Sequence, residues 1–230
     1  MSTLRLLPEI QNQWGEDYRF FVGAAQRWVD TGVFYQPHQL AGPYAARTAV
    51  DVLYPPIALY LFVPFVYAPP VLWWLIPLGI VTWHVLTCRP AWWIWPVIAV
   101  LLWLPRTQSM IIWGNTGIWI AAFVALGVRW AGPAALIAVK PTLAPFMLIG
   151  AWRRSWWVWT AGIAVASLPF LPLWFDYIKA IRNNVGDWPG ALYSLVDYPL
   201  LMIPVLAWLA RTNRPRDVAA TADPSAIGSG

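Results

Sequence analysis

Charged residues are scarce in this chain of 230 residues, where Asp, Glu, Lys and Arg make up 11% and hydrophobic residues 60%. A soluble domain carries roughly a quarter charged residues. The composition therefore excludes a water-facing surface and predicts an all-α, polytopic integral membrane protein.

The single cysteine, Cys88, excludes an internal disulfide and a cysteine-based metal cage. His38 and His84 stand alone without ligand spacing, so the sequence predicts no metal site and no cofactor.

Tryptophan, by contrast, is abundant at 19 residues, which suits the aromatic belts at membrane interfaces. The net charge of +5 comes from basic residues at the ends of apolar runs. This distribution is typical of membrane flanks and not of nucleic-acid binding. We expect an extracytoplasmic region over residues 1–53, a transmembrane helical domain over 54–210 and a disordered cytoplasmic tail over 211–230. The predicted location is the plasma (inner) membrane, as a multi-pass protein.

Two topologies fit the uncharged runs. If every run crosses the membrane, the chain has seven spans and a weak excess of basic residues in its inner loops. If residues 54–69 and 131–152 form broken hairpins instead, five spans remain and the excess is stronger, as the positive-inside rule favours. Prolines 55, 56, 64, 69 and 70 and the Lys140-Pro141 pair favour such breaks. The five spans are then expected near 71–88, 91–105, 115–128, 155–174 and 192–210.

The early stretch WGEDYRFFVGAAQRWVDTG, residues 14–32, predicts an amphipathic helix over 17–30. One face gathers apolar side chains, namely Tyr18, Phe21, Val22, Ala25, Trp28 and Val29. Such a helix is expected to lie flat on the outer membrane surface with its aromatic face down. Asp17 then has two interpretations. It lies at or beside the N-cap, which Asp favours, or it is a catalytic carboxylate.

Four segments resemble glycosyltransferase family 87, whose members are polytopic enzymes of the C-type glycosyltransferase fold. They are GEDYRFFVGAAQRWVDTGVFY, LYPPIALYLFVPF, WGNTGIWIAAFVALG and LIAVKPTLAPFMLIGAWRRSW, in the family's order and spacing over residues 15–157. The resemblance implies a mannosyltransferase of the bacterial cell envelope that uses a polyprenyl-phosphate sugar donor. Family members usually carry a complete helix before the acidic motif and further spans beyond residue 210, so we expect a short or truncated member.

The resemblance also implies roles for particular residues. An acid in the first extracytoplasmic loop, here Asp17, acts as general base on the acceptor hydroxyl. The Tyr-Pro-Pro motif, beginning at Tyr54, opens a short hairpin beneath that loop. The Gly-Asn motif falls on Gly114 and Asn115, and the Lys-Pro motif begins at Lys140.

The remaining candidates each have two interpretations. Lys140 either meets the donor phosphate or snorkels towards the interface. Asn115 either donates to a sugar hydroxyl or caps the helix that begins near Thr116. Tyr54 either stacks on a sugar or belongs to an aromatic belt. Glu16 and Arg19 are candidates for substrate binding, with solvated and interfacial positions as the alternatives.

The predicted function is therefore transfer of a hexose, with mannose favoured, from a polyprenyl-phosphate donor to a lipid or glycan acceptor in the bilayer. The alternative is a non-catalytic paralogue or a subunit that packs against another membrane protein. A small-molecule transporter is a third hypothesis, because broken helices suit transport. No inverted repeat supports it.

Overall fold

The computed structural model describes residues 14–46, 51–185 and 198–212, and this part of the chain is helical without a strand. The all-α prediction is confirmed. The α-helices are α1 Glu16–Thr31, α2 Pro37–Ala41, α3 Leu59–Phe62, α4 Pro64–Tyr67, α5 Leu72–Cys88, α6 Ile94–Trp103, α7 Pro105–Trp113, α8 Gly117–Trp130, α9 Ala144–Met147, α10 Arg154–Ser167, α11 Leu171–Asn183 and α12 Tyr198–Leu209. Four 3-10 helices cover Pro56–Ala58, Gly132–Val139, Pro141–Leu143 and Leu168–Phe170.

Helix α8 lies at the centre of the molecule, buried from Gly117 to Ala125. It packs against α5, α12 and the 3-10 helix Gly132–Val139. The last contact is so close that a Cβ on Gly127 would lie 2.8 Å from the Cβ of Ala134. Small residues permit such approaches between membrane helices, where packing rather than water exclusion drives association. Gly127 is therefore required by the packing.

Prolines break the chain at the two places where hairpins were predicted. The segment Pro56–Tyr67 meets α5 at a bend of 118°. The 3-10 helix Gly132–Val139 ends at Lys140, which has φ −126° and ψ 84° and precedes Pro141. Proline disfavours the helical conformation of the residue before it, which accounts for the break at Lys140.

One helical run in the described residues, Arg154–Asn183, is long and apolar enough to cross a membrane by itself. Counting each bent pair of helices as one span raises the number to three. The predicted spans near 115–128 and 192–210 correspond to the shorter apolar helices α8 and α12, and residues 192–197 lie outside the described residues. The count of five to seven spans stays a prediction.

Helix α1 corrects the expectation for its aromatic face. The rings of Tyr18 and Phe21 are buried and pack on Trp73 of α5. The face therefore packs against the protein's own core instead of lying on lipid. Part of the predicted face is wrong, since Val29 is exposed. The apolar pattern revealed a buried face but not what covers it.

Helix α5 separates two ends of the molecule. Its 17 residues span about 25 Å at 1.5 Å per residue, close to the thickness of a bilayer's hydrocarbon core. At its first turn the indoles of Trp73 and Trp74 donate to the backbone oxygens of Gly114 and Ile111. At its last turn lies Cys88, followed by Arg89. The candidate functional site lies at the first of these ends.

Candidate functional site

Three polar side chains from distant parts of the sequence meet at the beginning of α8. Asn115 Nδ2 donates a hydrogen bond of 2.6 Å to Asp17 Oδ2. Lys140 Nζ donates to Asn115 Oδ1 at 3.2 Å. The carboxylate, the amide and the ammonium thus form a chain of hydrogen bonds built from α1, the turn before α8 and the break after residue 139.

The backbone turn that holds Asn115 is fixed from several directions. Gly114 has a left-handed φ of 70°, which glycine adopts without steric cost. The Asn115 N–H donates to Met110 O at 2.9 Å, and the Gly15 N–H donates to Ile112 O at 2.9 Å. Both bonds use carbonyls in the last turn of α7. The bond from Gly15 ties the start of α1 to the turn, and so brings Asp17 to Asn115.

The side-chain amide of Asn115 has its orientation set by its neighbours. Its Oδ1 accepts from the Gly117 N–H at 2.9 Å as well as from Lys140. An amide oxygen has two lone pairs, and both are used. The NH₂ group must then face Asp17. Asn115 is not the N-cap of α8, which is Thr116. Its Oδ1 accepts from the first residue of that helix, and its NH₂ group donates to a carboxylate. The predicted bond to a sugar hydroxyl stays a prediction.

The N-cap interpretation of Asp17 is wrong. Gly15 is the N-cap of α1, and no side chain caps the helix. Asp17 lies in the first turn, where a carboxylate is favoured by the helix dipole. Its Oδ2 is directed to Asn115. No hydrogen bond to its Oδ1 is found among the described residues.

The protonation of Asp17 reflects opposing influences. Burial raises the pKa of its carboxyl above the ordinary value of 3.8, and this effect is the largest. The hydrogen bond from Asn115 and the charge of Lys140 lower the pKa, while the neighbouring charge of Glu16 raises it. The net result is a raised pKa, which makes the carboxylate a stronger base than an exposed aspartate.

Tyr54 is half-buried beside this chain of hydrogen bonds. Its hydroxyl lies 2.6 Å from Thr116 Oγ1, and its ring packs edge-on against Phe21 and Phe62. Its backbone oxygen accepts from the Tyr35 hydroxyl at 2.7 Å. Tyr54 therefore supports the start of α8 next to Asn115. Its two predicted roles, sugar stacking and a belt position, stay predictions.

Two predicted site residues stay apart from the cluster. Glu16 is exposed. Arg19 is also exposed, and its Nη1 donates to the backbone oxygen of Trp14 at 2.8 Å. Their solvated and interfacial alternatives agree with these positions.

The sequence interpretation missed Arg106, in the first turn of α7. Its charge lowers the pKa of Asp17, so a second cation acts on the carboxylate. No motif of the sequence includes it. His38 was also misjudged as isolated, because its Nε2 lies 2.7 Å from Asp51 Oδ1. In the described part of the chain no three potential ligands among His, Cys, Asp and Glu come together as a metal site.

An apolar cavity of about 340 Å³ lies on the side of α8 that faces the 3-10 helix Gly132–Val139. Its walls come from that helix, α8, α10 and the segment around Ile57. Val139, immediately before Lys140, is one of the lining residues. The cavity is thus adjacent in the chain to the residue that carries the cation.

Comparison of the chain with protein-family models, with curated proteins and with solved structures finds no match. The resemblance to glycosyltransferase family 87 therefore stays a prediction from the four motifs.

Proposed function

We propose that the chain is a membrane glycosyltransferase of the C-type fold, similar to family 87, that transfers a hexose from a polyprenyl-phosphate donor to a hydroxyl of a lipid or glycan acceptor. Mannose is the favoured sugar. The proposal includes five to seven spans in the inner membrane, with Asp17 on the outer side. The observation that carries it is the hydrogen-bonded chain of Asp17, Asn115 and Lys140. These are the positions to which the resemblance assigns the acid, the Gly-Asn motif and the Lys-Pro motif.

Asp17 is the general base of the proposed reaction. As the acceptor oxygen forms its bond to C1 of the sugar, its proton passes to Asp17. The bond from C1 to the phosphate oxygen breaks, and its electron pair leaves with the phosphate. One base suffices for such an inverting step because the phosphate is already a good leaving group. The raised pKa suits proton abstraction, since a general base works best when its pKa lies near the working pH.

Asn115 and the two cations support this step in different ways. The Asn115 amide fixes one oxygen of Asp17, so that the other is directed to the acceptor. Lys140 and Arg106 both act electrostatically on Asp17. Positive charge near the carboxylate also favours the negative charge that develops on the leaving phosphate. We assign Lys140, with its ammonium close to the base, as the cation for that phosphate.

The apolar cavity suits the hydrocarbon part of the donor. Its volume of about 340 Å³ lies within the roughly 300–1,000 Å³ that is usual for ligand pockets. Its lining is almost wholly apolar. A chain seated there would leave the membrane interior beside Val139 and bring its phosphate towards Lys140.

The test is transfer of labelled sugar from a polyprenyl-phosphate donor by the reconstituted chain. Asp17→Asn keeps the shape of the side chain and removes the base, and a general base contributes roughly 10²–10⁴-fold. Asp30→Asn is the matched control, because it makes the same change at an exposed carboxylate near the other end of α1. We expect Asp17→Asn to lose at least 100-fold and Asp30→Asn to stay within a few-fold of wild type.

Equal transfer by wild type and Asp17→Asn would overturn the proposal. Absence of transfer by wild type, together with co-purification of a second membrane protein, would favour the partner-subunit hypothesis. Both variants must accumulate in membranes at wild-type levels, so that the comparison reports chemistry and not folding.

A further inference from the structure

Three arginines gather at the end of α5 that lies opposite Asp17. Arg89 follows the last turn of α5, Arg129 lies in the last turn of α8, and Arg211 follows α12. The chain around Arg211 is held to that around Arg89, since Ala91 N–H donates to Ala210 O at 2.9 Å. The charges of Arg129 and Arg211 both act on the Cys88 thiol at the end of α5. Three separate elements thus bring an arginine each to this end of the molecule.

No carboxylate balances this charge within the described residues. The acids there are Glu16, Asp17, Asp30, Asp51 and Asp176, and none of them forms an ion pair with the three arginines. Like charges gathered in a membrane protein repel unless an anion lies between them. Within the described ranges the three arginines therefore have no negatively charged partner.

The guanidinium groups are oriented by aromatic rings and keep donors to spare. The Arg129 guanidinium carbon lies 4.7 Å from the ring centroid of Trp83 and 5.4 Å from that of Trp130. The same carbon of Arg211 lies 4.2 Å from the ring of Trp208. Each arginine has five N–H donors. In the described residues, Arg129 uses one on Thr87 Oγ1 and Arg211 uses one on a backbone oxygen.

Arg89 occupies a position that ordinarily takes glycine. It has a left-handed backbone with φ 47° and ψ 61° at the C-terminus of α5, a conformation that costs a non-glycine residue about 1–2 kcal/mol. Its backbone oxygen accepts from the Thr212 hydroxyl at 2.7 Å, while its side chain is exposed. Strained backbone positions of this kind cluster at functional sites. The arginine at this position therefore favours a functional role for its side chain.

The residues around this cluster are of the kind found at headgroup depth. The exposed rings of Trp92 and Trp93 lie three and four residues after Arg89, and Trp83 and Trp130 are exposed as well. Tryptophan side chains concentrate at the level of lipid headgroups. Arginine pairs with phosphate oxygens through two parallel hydrogen bonds. The phosphate of a membrane lipid carries the negative charge that the arginines need and lies at the level of the tryptophans. A free phosphate carries the charge but is not held at that level.

We propose that Arg89, Arg129 and Arg211 form a binding site for the headgroup of an anionic phospholipid, in the leaflet opposite Asp17. The lipid phosphate lies among the three guanidinium groups and bridges the ends of α5, α8 and α12. This site is independent of sugar transfer and does not require that the chain be an enzyme.

The experiment is native mass spectrometry of the purified full chain in neutral detergent, titrated with phosphatidylglycerol or phosphatidylcholine. We expect preferential binding of phosphatidylglycerol. Arg89→Gln, Arg129→Gln and Arg211→Gln should each weaken that binding about fivefold, which corresponds to about 1 kcal/mol for each basic residue near a lipid surface. Arg182→Gln, in α11 at the other end, is the matched control and should bind as wild type. Inorganic phosphate at millimolar concentration should not displace the lipid.

Equal retention of the two lipids, or an equal loss in Arg182→Gln, would overturn the proposal. Displacement by inorganic phosphate would show a general anion site and would also overturn it. If Arg129→Gln fails to fold because it loses its ring contacts, Arg89→Gln still decides the question, since the exposed Arg89 side chain makes no hydrogen bond or ring contact in the described residues.

Discussion

Gly114 lies at the turn on which the whole candidate site depends, and Gly114→Ala should destabilise the protein. Its φ of 70° is left-handed, which costs an alanine about 1–2 kcal/mol. The added Cβ would also lie 2.7 Å from Trp74 Cζ2 and 3.0 Å from Tyr18 Cβ. Overpacking of this kind costs about 1–3 kcal/mol. Together these give a loss of about 2–5 kcal/mol in the free energy of unfolding.

The assay is equilibrium unfolding in mixed detergent and dodecyl sulfate micelles, followed by tryptophan fluorescence. Gly162→Ala is the matched control, because Gly162 lies within α10 and an added Cβ there meets nothing within 4 Å. Alanine in a helix interior is about 0.5–1 kcal/mol more stable than glycine, so this control should gain stability. If Gly114→Ala unfolds at the wild-type midpoint, the described geometry of the turn is wrong.

Three further predictions concern the site and the core. Lys140→Met removes a charge that lowers the pKa of Asp17, so the acid limb of the pH profile of transfer should move to higher pH. Lys140→Arg keeps the charge and should leave the limb in place. An unmoved limb in Lys140→Met would contradict the role of Asp17 as the base whose pKa Lys140 lowers. Tyr54→Phe should cost about 0.5–1.5 kcal/mol of unfolding free energy through its lost hydroxyl bond. Tyr67→Phe, at an exposed ring, is the control, and equal effects would argue against that bond. Gly127→Leu should separate α8 from the following 3-10 helix and lower stability in the same unfolding assay by more than about 1 kcal/mol, and a stable variant would contradict that close contact.

The sequence predicted the positions of the helix breaks because proline acts locally. A proline removes a donor and restricts the residue before it, whatever surrounds the chain. Lys140 could therefore be placed at a break from its neighbour alone. The amphipathic pattern of α1 likewise reveals a buried face, since burial of apolar side chains follows the helical period.

What covers that face could not be predicted, because it depends on tertiary contacts. Lipid and a protein core are equally apolar, and the pattern of Tyr18 and Phe21 does not distinguish them. The same limit explains the wrong N-cap interpretation of Asp17. The helix begins at Glu16, after the N-cap Gly15, whose N–H donates to Ile112 O in a distant part of the chain.

The candidate site was predicted in part through the resemblance. Its motifs singled out Asp17, Asn115 and Lys140, and these side chains meet in the structure. Arg106 could not be found, because it belongs to no motif and acts through space. The sequence also could not predict which side chains bind each other. Lys140 donates to Asn115, and Asn115 in turn donates to the carboxylate of Asp17.

The account depends most on Asp17 lying on the outer side of the membrane, opposite the arginine cluster, and cysteine labelling tests this directly. Two single-cysteine variants, made after Cys88→Ala, are needed: Gly23→Cys on the exposed face of α1, and Ser155→Cys at the start of α10. With a membrane-impermeant maleimide on intact cells, we predict labelling at position 23, and labelling at position 155 only after permeabilisation. Labelling of position 23 only after permeabilisation would contradict the account.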